Sequence, residues 1–262
     1  MCLIIFNWQP DSQQPLTLAA NRDEFHQRPS LDAHFWEDQP AIFAGRDLEQ
    51  KGTWLGLAKT EESKTFKLAA LTNFRSADTT LYQYSRGEIT QNFLTSGQSA
   101  IDYAKQINFE QYAGFNGLFF DGQALVYCHY QKDQMPEIFT LTSGLYGLSN
   151  AKLDSPWPKV KQAKNALTKL DKHKTNEDVA NALLASLKDK TLAKDTDLPN
   201  TGVGIDMERM LSAAFIISPN YGTRTSSIVI IEGDNEKQAA YFKERHFSPK
   251  GRQTRELSKQ LY

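Results

Sequence analysis

The sequence predicts a single α+β domain built on antiparallel sheets. Short runs rich in β-branched and aromatic residues occupy both ends of the chain, whereas helical patterns are grouped between them. No internal repeat or low-complexity linker divides the 262 residues, a length that is ample for one core. Strands from the two ends must therefore share the sheets, and one solution stacks two sheets between helical layers.

The first two strands are predicted to form a hairpin. Apolar runs at residues 3–6 and 16–20 flank a polar turn at residues 9–12. In a hairpin the end of the second strand returns beside the start of the first. We therefore expect the polar segment Asn-Arg-Asp-Glu at residues 21–24 to collect around Cys2.

Further strands are predicted wherever short apolar runs lie between turn residues. The clearest hairpin signal is the Asp-Gly turn at residues 121–122. Residues 26–30 are predicted to form a turn. The remaining predicted strands span residues 42–45, 52–57, 66–73, 115–120, 123–130, 138–141, 145–150, 213–217, 225–231 and 239–247.

Four helices are predicted in the middle of the chain, at residues 86–93, 100–107, 158–170 and 176–187. In the third, the apolar residues share one face that ends at Leu170. The polar segment 188–209 is predicted to be a flexible loop or a lid. The charged segment 248–262 is predicted to be a loose tail.

Composition excludes several classes of function. The net charge of −1 gives no general electrostatic case for nucleic acid or an anionic membrane. No apolar run approaches the ~20 residues that span a bilayer, and residues 3–6 are too short for a signal peptide. Cys2 and Cys128 suit neither a disulfide framework nor a zinc site. We expect a cytoplasmic protein without an integral membrane segment.

Cys2 directly follows the initiator methionine. Removal of that methionine leaves Cys2 with both a thiol and a free α-amine. An α-amine with a pKa near ~8 can take the proton of the thiol, so nucleophile and base would belong to one residue. The alternative interpretation is a buried cysteine, which behaves as a small hydrophobe, followed by a charged turn.

Six segments spread over the chain form a recognisable set. They are residues 1–2, 18–25, 52–56, 71–73, 146–150 and 221–225. In this order they resemble the NRDE family (transport and Golgi organisation protein two-like). The resemblance implies one domain over residues 1–262, with a four-layer αββα sandwich similar to that of the N-terminal nucleophile hydrolases. Within that superfamily the pattern looks most like choloylglycine hydrolases and penicillin V acylases, which begin with a nucleophilic cysteine.

The resemblance also implies a set of site residues. It matches Cys2 to the nucleophile and Arg224 to a late arginine that supports the site. It matches Asn73 and Asn150 to an oxyanion hole, where fixed amide donors stabilise charge with little reorganisation. Asn21, Arg22 and Asp23 fall where an arginine and an aspartate lie near the nucleophile, without showing which takes which place. The alternatives are a turn role for Asn150 and an internal salt bridge between Arg22 and Asp23.

The family resemblance further implies haem trafficking and roles in lipid and acyl-coenzyme A homeostasis. Haem as cargo needs cations for its propionates, for which Arg22 and Arg224 are candidates. It also often needs an axial iron ligand. The candidate ligands are Cys2, His26, His34, His129 and His246, with His26 first because it adjoins the Asn-Arg-Asp-Glu segment.

Three functional hypotheses follow. The first is a haem-binding or haem-transfer protein that delivers its cargo to haem-receiving proteins. The second is an amidase or thioesterase in which Cys2 attacks an amide or an acyl thioester. The third is a non-catalytic binder of acyl-coenzyme A. The residue chemistry alone favours the enzyme, whereas the family resemblance favours haem.

Overall fold

The computed structural model describes residues 2–59, 64–169 and 174–262. Met1, and Leu170 at the end of the predicted third helix, lie outside these ranges. The strands within them are β1 (Cys2–Trp8), β2 (Leu16–Phe25), β3 (Ser30–Phe35), β4 (Ile42–Asp47), β5 (Leu55–Ala58), β6 (Lys67–Asn73), β7 (Phe115–Phe120), β8 (Leu125–Tyr130), β9 (Glu137–Thr140), β10 (Gly144–Leu148), β11 (Tyr221–Gly233), β12 (Gln238–Phe247) and β13 (Gln253–Leu261).

The strands form two antiparallel sheets. The first sheet has the order β10-β1-β2-β11-β12-β13, so strands from both ends of the chain share it, as expected. The second sheet is a meander in which β3 to β9 follow one another in chain order. The helices are α1 (Arg86–Thr95), α2 (Ala100–Gln106), α3 (Pro158–Thr168), α4 (Asn176–Ser186) and α5 (Ile205–Met210).

The two sheets pack face to face between pairs of helices. Phe43 of the second sheet meets Phe242 of the first with ring centroids 5.2 Å apart. On the outer face of the second sheet, Phe93 of α1 packs against Phe119 at 5.0 Å. On the outer face of the first sheet, Leu3 shares a buried cluster with residues of α3 and α4. The layers therefore run helices, sheet, sheet, helices.

The register of the first hairpin confirms the prediction for residues 3–6 and 16–20. Cys2 pairs with Arg22, and Leu3 pairs with Asn21. Because successive side chains of a strand point to opposite faces, Cys2 and Arg22 share the face between the sheets, whereas Asn21 lies on the helix-covered face. The register therefore places some residues of the Asn-Arg-Asp-Glu segment between the two sheets and the others on the helix-covered face of the first sheet.

The strand predicted at residues 213–217 is wrong. Phe215 and Ile216 are buried, but their amides do not enter a regular ladder. The Phe215 N–H donates to the Asp189 carbonyl at 2.8 Å, and the Ile216 N–H donates to Thr223 Oγ1 at 2.9 Å. Residues 213–216 are apolar because neighbouring loops bury them, and not because they belong to a sheet.

Two other expectations need correction. The tail predicted to be loose at residues 248–262 contains β13, which pairs with β12 along its length. Its charged residues are compatible with an edge strand, because exposed charge discourages pairing with another chain. The predicted turn at residues 26–30 is followed at once by β3, which was not predicted. Within the described ranges, none of the helices has the length and apolar character needed to cross a membrane.

Candidate functional site

A cavity of about 320 Å³ opens between the two sheets. Cys2 at the start of β1 and Arg22 near the end of β2 form part of its wall. Asn73 at the end of β6, in the second sheet, and Arg86 at the start of α1, the helix that packs on that sheet, also line the cavity. The cavity therefore joins segments that are far apart in the sequence, and most of its wall is polar or charged.

Cys2 is 7% exposed and lines this cavity. Burial raises the pKa of its thiol, although the charge of Arg22 and a hydrogen bond from the Asp23 backbone act in the opposite direction. The Ser149 hydroxyl donates to the Cys2 carbonyl at 2.9 Å and fixes the backbone. The raised pKa keeps the thiol protonated at neutral pH, so Cys2 needs a base to become a nucleophile.

Arg22 belongs to a network of ion pairs on the cavity wall. Its Nη2 lies 3.6 Å from carboxylate oxygens of both Glu24 and Asp47. Asp47 also accepts a hydrogen bond from Arg28 Nε at 2.5 Å. Although burial alone would raise it, the pKa of Asp47 is lowered overall, mainly by the hydrogen bond from Arg28. These groups compensate one another's charge.

The two asparagines matched to an oxyanion hole have different positions. Asn73 lines the cavity, and within the described part of the chain its side-chain amide has no hydrogen-bond partner. Asn150 is fully buried, and its Nδ2 donates to the Asn73 carbonyl at 2.8 Å. Asn73 can therefore donate to a ligand, whereas Asn150 supports the backbone that carries it.

Asn21 does not face Cys2. Its Nδ2 donates to the carbonyls of Leu187 and Ala214 at 2.9 and 2.7 Å, and its Oδ1 accepts from Ser226 Oγ at 2.5 Å. These bonds join β2 to the end of α4 and to the 213–217 segment. The expectation that all four residues of the Asn-Arg-Asp-Glu segment surround Cys2 is corrected for Asn21.

The Asp23 side chain also lies on the helix side of β2. It accepts a hydrogen bond from Thr223 Oγ1 at 2.6 Å. Burial raises the pKa of Asp23, and the charge of Lys159 partly opposes that rise. Asp23 nevertheless contributes to the cavity wall, and its backbone N–H donates to the Cys2 thiol. The backbone of Asp23 therefore faces the cavity, whereas its side chain faces the helices. No ion pair joins Arg22 to Asp23 within the described ranges.

Arg224 and His26 lie outside the cavity wall. Arg224 Nη1 donates to the carbonyls of Phe25 and Arg28, so it supports the chain that follows β2. The His26 Nε2 lies 3.1 Å from the Ser218 carbonyl. His26 is therefore not part of this cavity wall, and its contact with haem stays a prediction.

Among the histidines that the structure describes, His246 is the one that lines the cavity. Its Nε2 lies 2.8 Å from Glu244 Oε1. By contrast, His129 is buried beside Asn116, with Nδ1 2.9 Å from Asn116 Oδ1, and burial lowers its pKa to about 4. His34 lies on β3, where its Nδ1 approaches the Asp32 carbonyl.

Arg86 is a residue of the cavity wall that no sequence motif indicated. It is the first residue of α1, with Ser85 as the N-cap, and it lines the cavity together with Ser85 and Gly87. A capped helix start can be read from the sequence, but nothing in the sequence places that start beside Cys2. The packing of α1 against the second sheet decides this position.

A second charged cluster lies on the helix side of β2. Arg75 Nη1 and Glu208 Oε2 are 2.5 Å apart, with side chains 2% and 3% exposed. The Arg75 guanidinium stacks on Trp157 at 4.6 Å. Lys159 donates to the Leu211 carbonyl at 3.0 Å, and burial lowers its pKa to about 8. The segment 188–209 contributes Glu208 to this cluster and no residue to the cavity wall.

Comparison with known proteins assigns the chain to a family. The family model described as Transport and Golgi organisation 2 matches residues 1–249. The chain is 35% identical over 253 residues to the Transport and Golgi organization protein 2 homolog of Homo sapiens, covering 89% of this chain and 90% of the relative. It is 28% identical over 260 residues to Transport and Golgi organization protein 2 of Drosophila melanogaster, covering 90% and 89%. This chain therefore belongs to the Transport and Golgi organisation 2 family.

Proposed function

We propose that the cavity is the active site of an N-terminal cysteine hydrolase that acts on an amide or an acyl thioester. The observation that carries the proposal is that Cys2 and Asn73 line one cavity, and that the side-chain amide of Asn73 has no hydrogen-bond partner among the described residues. The helix, sheet, sheet, helix order of the layers supports the expected similarity to N-terminal nucleophile hydrolases. A reducing compartment such as the cytoplasm keeps the thiol available.

The chemistry requires removal of the initiator methionine. The free α-amine of Cys2 then takes the thiol proton, and the thiolate attacks the carbonyl carbon of the substrate. The Asn73 side-chain amide donates to the oxyanion that forms. Collapse of this intermediate releases an amine or a thiol, which takes the proton from the α-amine. Water then attacks the acyl-cysteine and releases the acid.

The surroundings of Cys2 support this division of roles. Because its thiol is protonated at neutral pH, a local base is needed, and the α-amine lies on the same residue. The fully buried Asn150 fixes the Asn73 carbonyl. A donor held in this way loses little free energy to reorganisation during the reaction.

Haem binding is the second candidate. The cavity arginines Arg22, Arg28 and Arg86 can pair with propionates, which favours the proposal. The macrocycle, however, needs apolar walls, and most of the residues in this wall are polar or charged. A haem titration that produces a saturable shift of the Soret band, weakened in His246→Ala, supports haem cargo. A spectrum identical to that of a control protein contradicts it.

The hydrolase proposal is tested with untagged protein in three steps. Intact mass shows whether the methionine is removed, and an acyl-thioester probe then reports covalent labelling. We expect labelling at Cys2 that Cys2→Ala abolishes, whereas Cys128→Ala retains it. Saturable acyl-coenzyme A binding without labelling or product would contradict the hydrolase and favour a non-catalytic binder. A retained methionine would contradict the self-activated mechanism.

A further inference from the structure

Arg86 differs from the other arginines of the cavity in its partners. Arg22 and Arg28 share Asp47, and Arg46 forms a two-bond pair with Asp38 at 2.5 and 2.7 Å. Among the residues that the structure describes, Arg86 has no carboxylate within ion-pair distance. Its Nη1 donates to the Gly114 carbonyl at 3.1 Å. A guanidinium has five N–H donors, so most of those on Arg86 remain unused by the described chain.

The position of Arg86 ties this unused charge to Cys2. Burial lowers the pKa of Arg86. The largest electrostatic interaction that raises this pKa is with Cys2, and the next is with Glu24. An arginine stays charged even when its pKa falls in this way. Partial burial also weakens the screening that solvent gives to an exposed charge. Arg86 is therefore a persistent positive charge that acts on the space in front of the thiol.

The shape of a guanidinium selects one kind of ligand group. Its planar fork matches the two oxygens of a carboxylate in a bidentate pair. The Gly114 carbonyl accepts from Nη1, which leaves the donors of Nε and Nη2 unused by the described chain, and these two atoms form one edge of that fork. The wall of one cavity therefore contains Cys2, Asn73 and Arg86, and Arg86 has no carboxylate partner among the described residues.

We propose that Arg86 binds a carboxylate of the ligand that occupies the cavity beside Cys2. If the proposed hydrolase function holds, on which this substrate class depends, the substrate is an acyl compound that carries a carboxylate near the scissile bond. Arg86 then determines specificity by pairing with that carboxylate. Glu24 and Asp47 are neutralised by Arg22 and Arg28, so they repel the ligand less than bare carboxylates would.

Alkylation of Cys2 tests this inference without any turnover. Iodoacetate carries a carboxylate and iodoacetamide is its neutral analogue. With both, the Cys2 sulfur forms a bond to the methylene carbon as iodide leaves. The measurement is the ratio of the two second-order rate constants at Cys2, located by peptide mass spectrometry. Any change in the thiolate fraction affects both reagents equally and cancels in the ratio.

We expect the iodoacetate to iodoacetamide ratio to fall about fivefold or more in Arg86→Gln, because the paired charge is lost. Arg86→Lys should restore part of the preference. The matched control is Arg46→Gln, which removes an identical charge from the same wall but one already paired with Asp38. Its ratio should change by less than about twofold.

The outcomes separate this inference from the proposed function. Equal losses in Arg86→Gln and Arg46→Gln would mean that general cavity charge, and not Arg86, attracts the carboxylate. An unchanged ratio in Arg86→Gln would likewise overturn the inference while leaving Cys2 as a nucleophile. A Cys2 that reacts with neither reagent in the folded wild-type protein would overturn both.

Discussion

Two charged clusters lie on the two faces of β2, and they differ in access to solvent. On the cavity face, Arg22, Arg28 and Asp47 pair at a wall that opens to solvent. On the helix face, Arg75 and Glu208 pair with almost no exposure. The same types of charge are thus available to a ligand on one face and fixed in the structure on the other.

The comparison teaches that identical residue types can serve opposite purposes. An exposed pair contributes little to stability because solvent competes for both charges. Breaking a buried pair is costly because it leaves an uncompensated charge in a poorly solvated site. We therefore infer that the helix-face cluster holds β2 and Asp23 in place, whereas the cavity-face cluster sets the charge that a ligand meets.

The largest expected effect is that of Glu208→Gln. The change leaves Arg75 buried without a counter-charge and should lower the free energy of unfolding by about 3–5 kcal/mol. Urea denaturation measures it. The matched control is Asp206→Asn, whose side chain is 92% exposed and which should lose under about 0.5 kcal/mol. Similar small losses in both variants would contradict the structural role of the buried cluster.

Lys159→Met should change how stability depends on pH. Burial lowers the pKa of Lys159 from 10.5 to about 8, so between these values the unfolded chain binds a proton that the folded chain has released. The contribution of Lys159 to the free energy of unfolding therefore rises with pH across that window, by about 3 kcal/mol. Below pH 8 the folded state carries the full unfavourable contribution.

Urea denaturation at several pH values between 7 and 10.5 tests this sign. The stability of Lys159→Met minus that of the wild type should be largest below pH 8 and should decrease as the pH rises. Lys161→Met, which alters an exposed lysine of the same helix, should show a constant difference. Parallel curves for Lys159→Met and the wild type would refute the contribution of Lys159.

Asn21→Ala should cost about 2–3 kcal/mol. It leaves the Leu187 and Ala214 carbonyls and the Ser226 hydroxyl without their amide partner, and unpaired buried polar groups are costly. Asn73→Ala removes a side chain that has no such partners among the described residues, so it should cost under about 1 kcal/mol while abolishing labelling by the acyl probe. Thermal unfolding followed by circular dichroism compares the two. A larger loss of stability in Asn73→Ala than in Asn21→Ala would contradict the structural role of Asn21 and the ligand-binding role of Asn73.

The smallest expected effect is that of Arg28→Gln. Its pair with Asp47 is partly exposed, with side chains 27% and 16% exposed, so the loss should be under about 1 kcal/mol and should shrink at high salt. Measuring unfolding at 0.05 and 0.5 M NaCl tests this. A loss as large as that in Glu208→Gln would remove the distinction between the two faces.

Local patterns predicted most of the fold correctly. The hairpin of β1 and β2, the turn between β7 and β8, and helices α1 to α4 follow from short-range alternation, turn residues and caps. The errors have a common physical origin. The charged β13 forms through its pairing with β12, and the apolar segment 213–217 is buried without entering a sheet, so neither outcome is encoded in a local period.

In the candidate site, too, some positions follow from the local sequence and others only from tertiary packing. The sequence by itself determined that residues 21–24 return beside Cys2, because the two strands of a hairpin run back alongside each other. The structure added that Arg22 is the residue paired with Cys2. Only the tertiary structure turned Asn21 away from Cys2, made Asn150 a support for Asn73, and brought Arg86 to the cavity. These positions depend on how two sheets and a helix pack, and packing joins residues whose separation in sequence carries no signal of their contact.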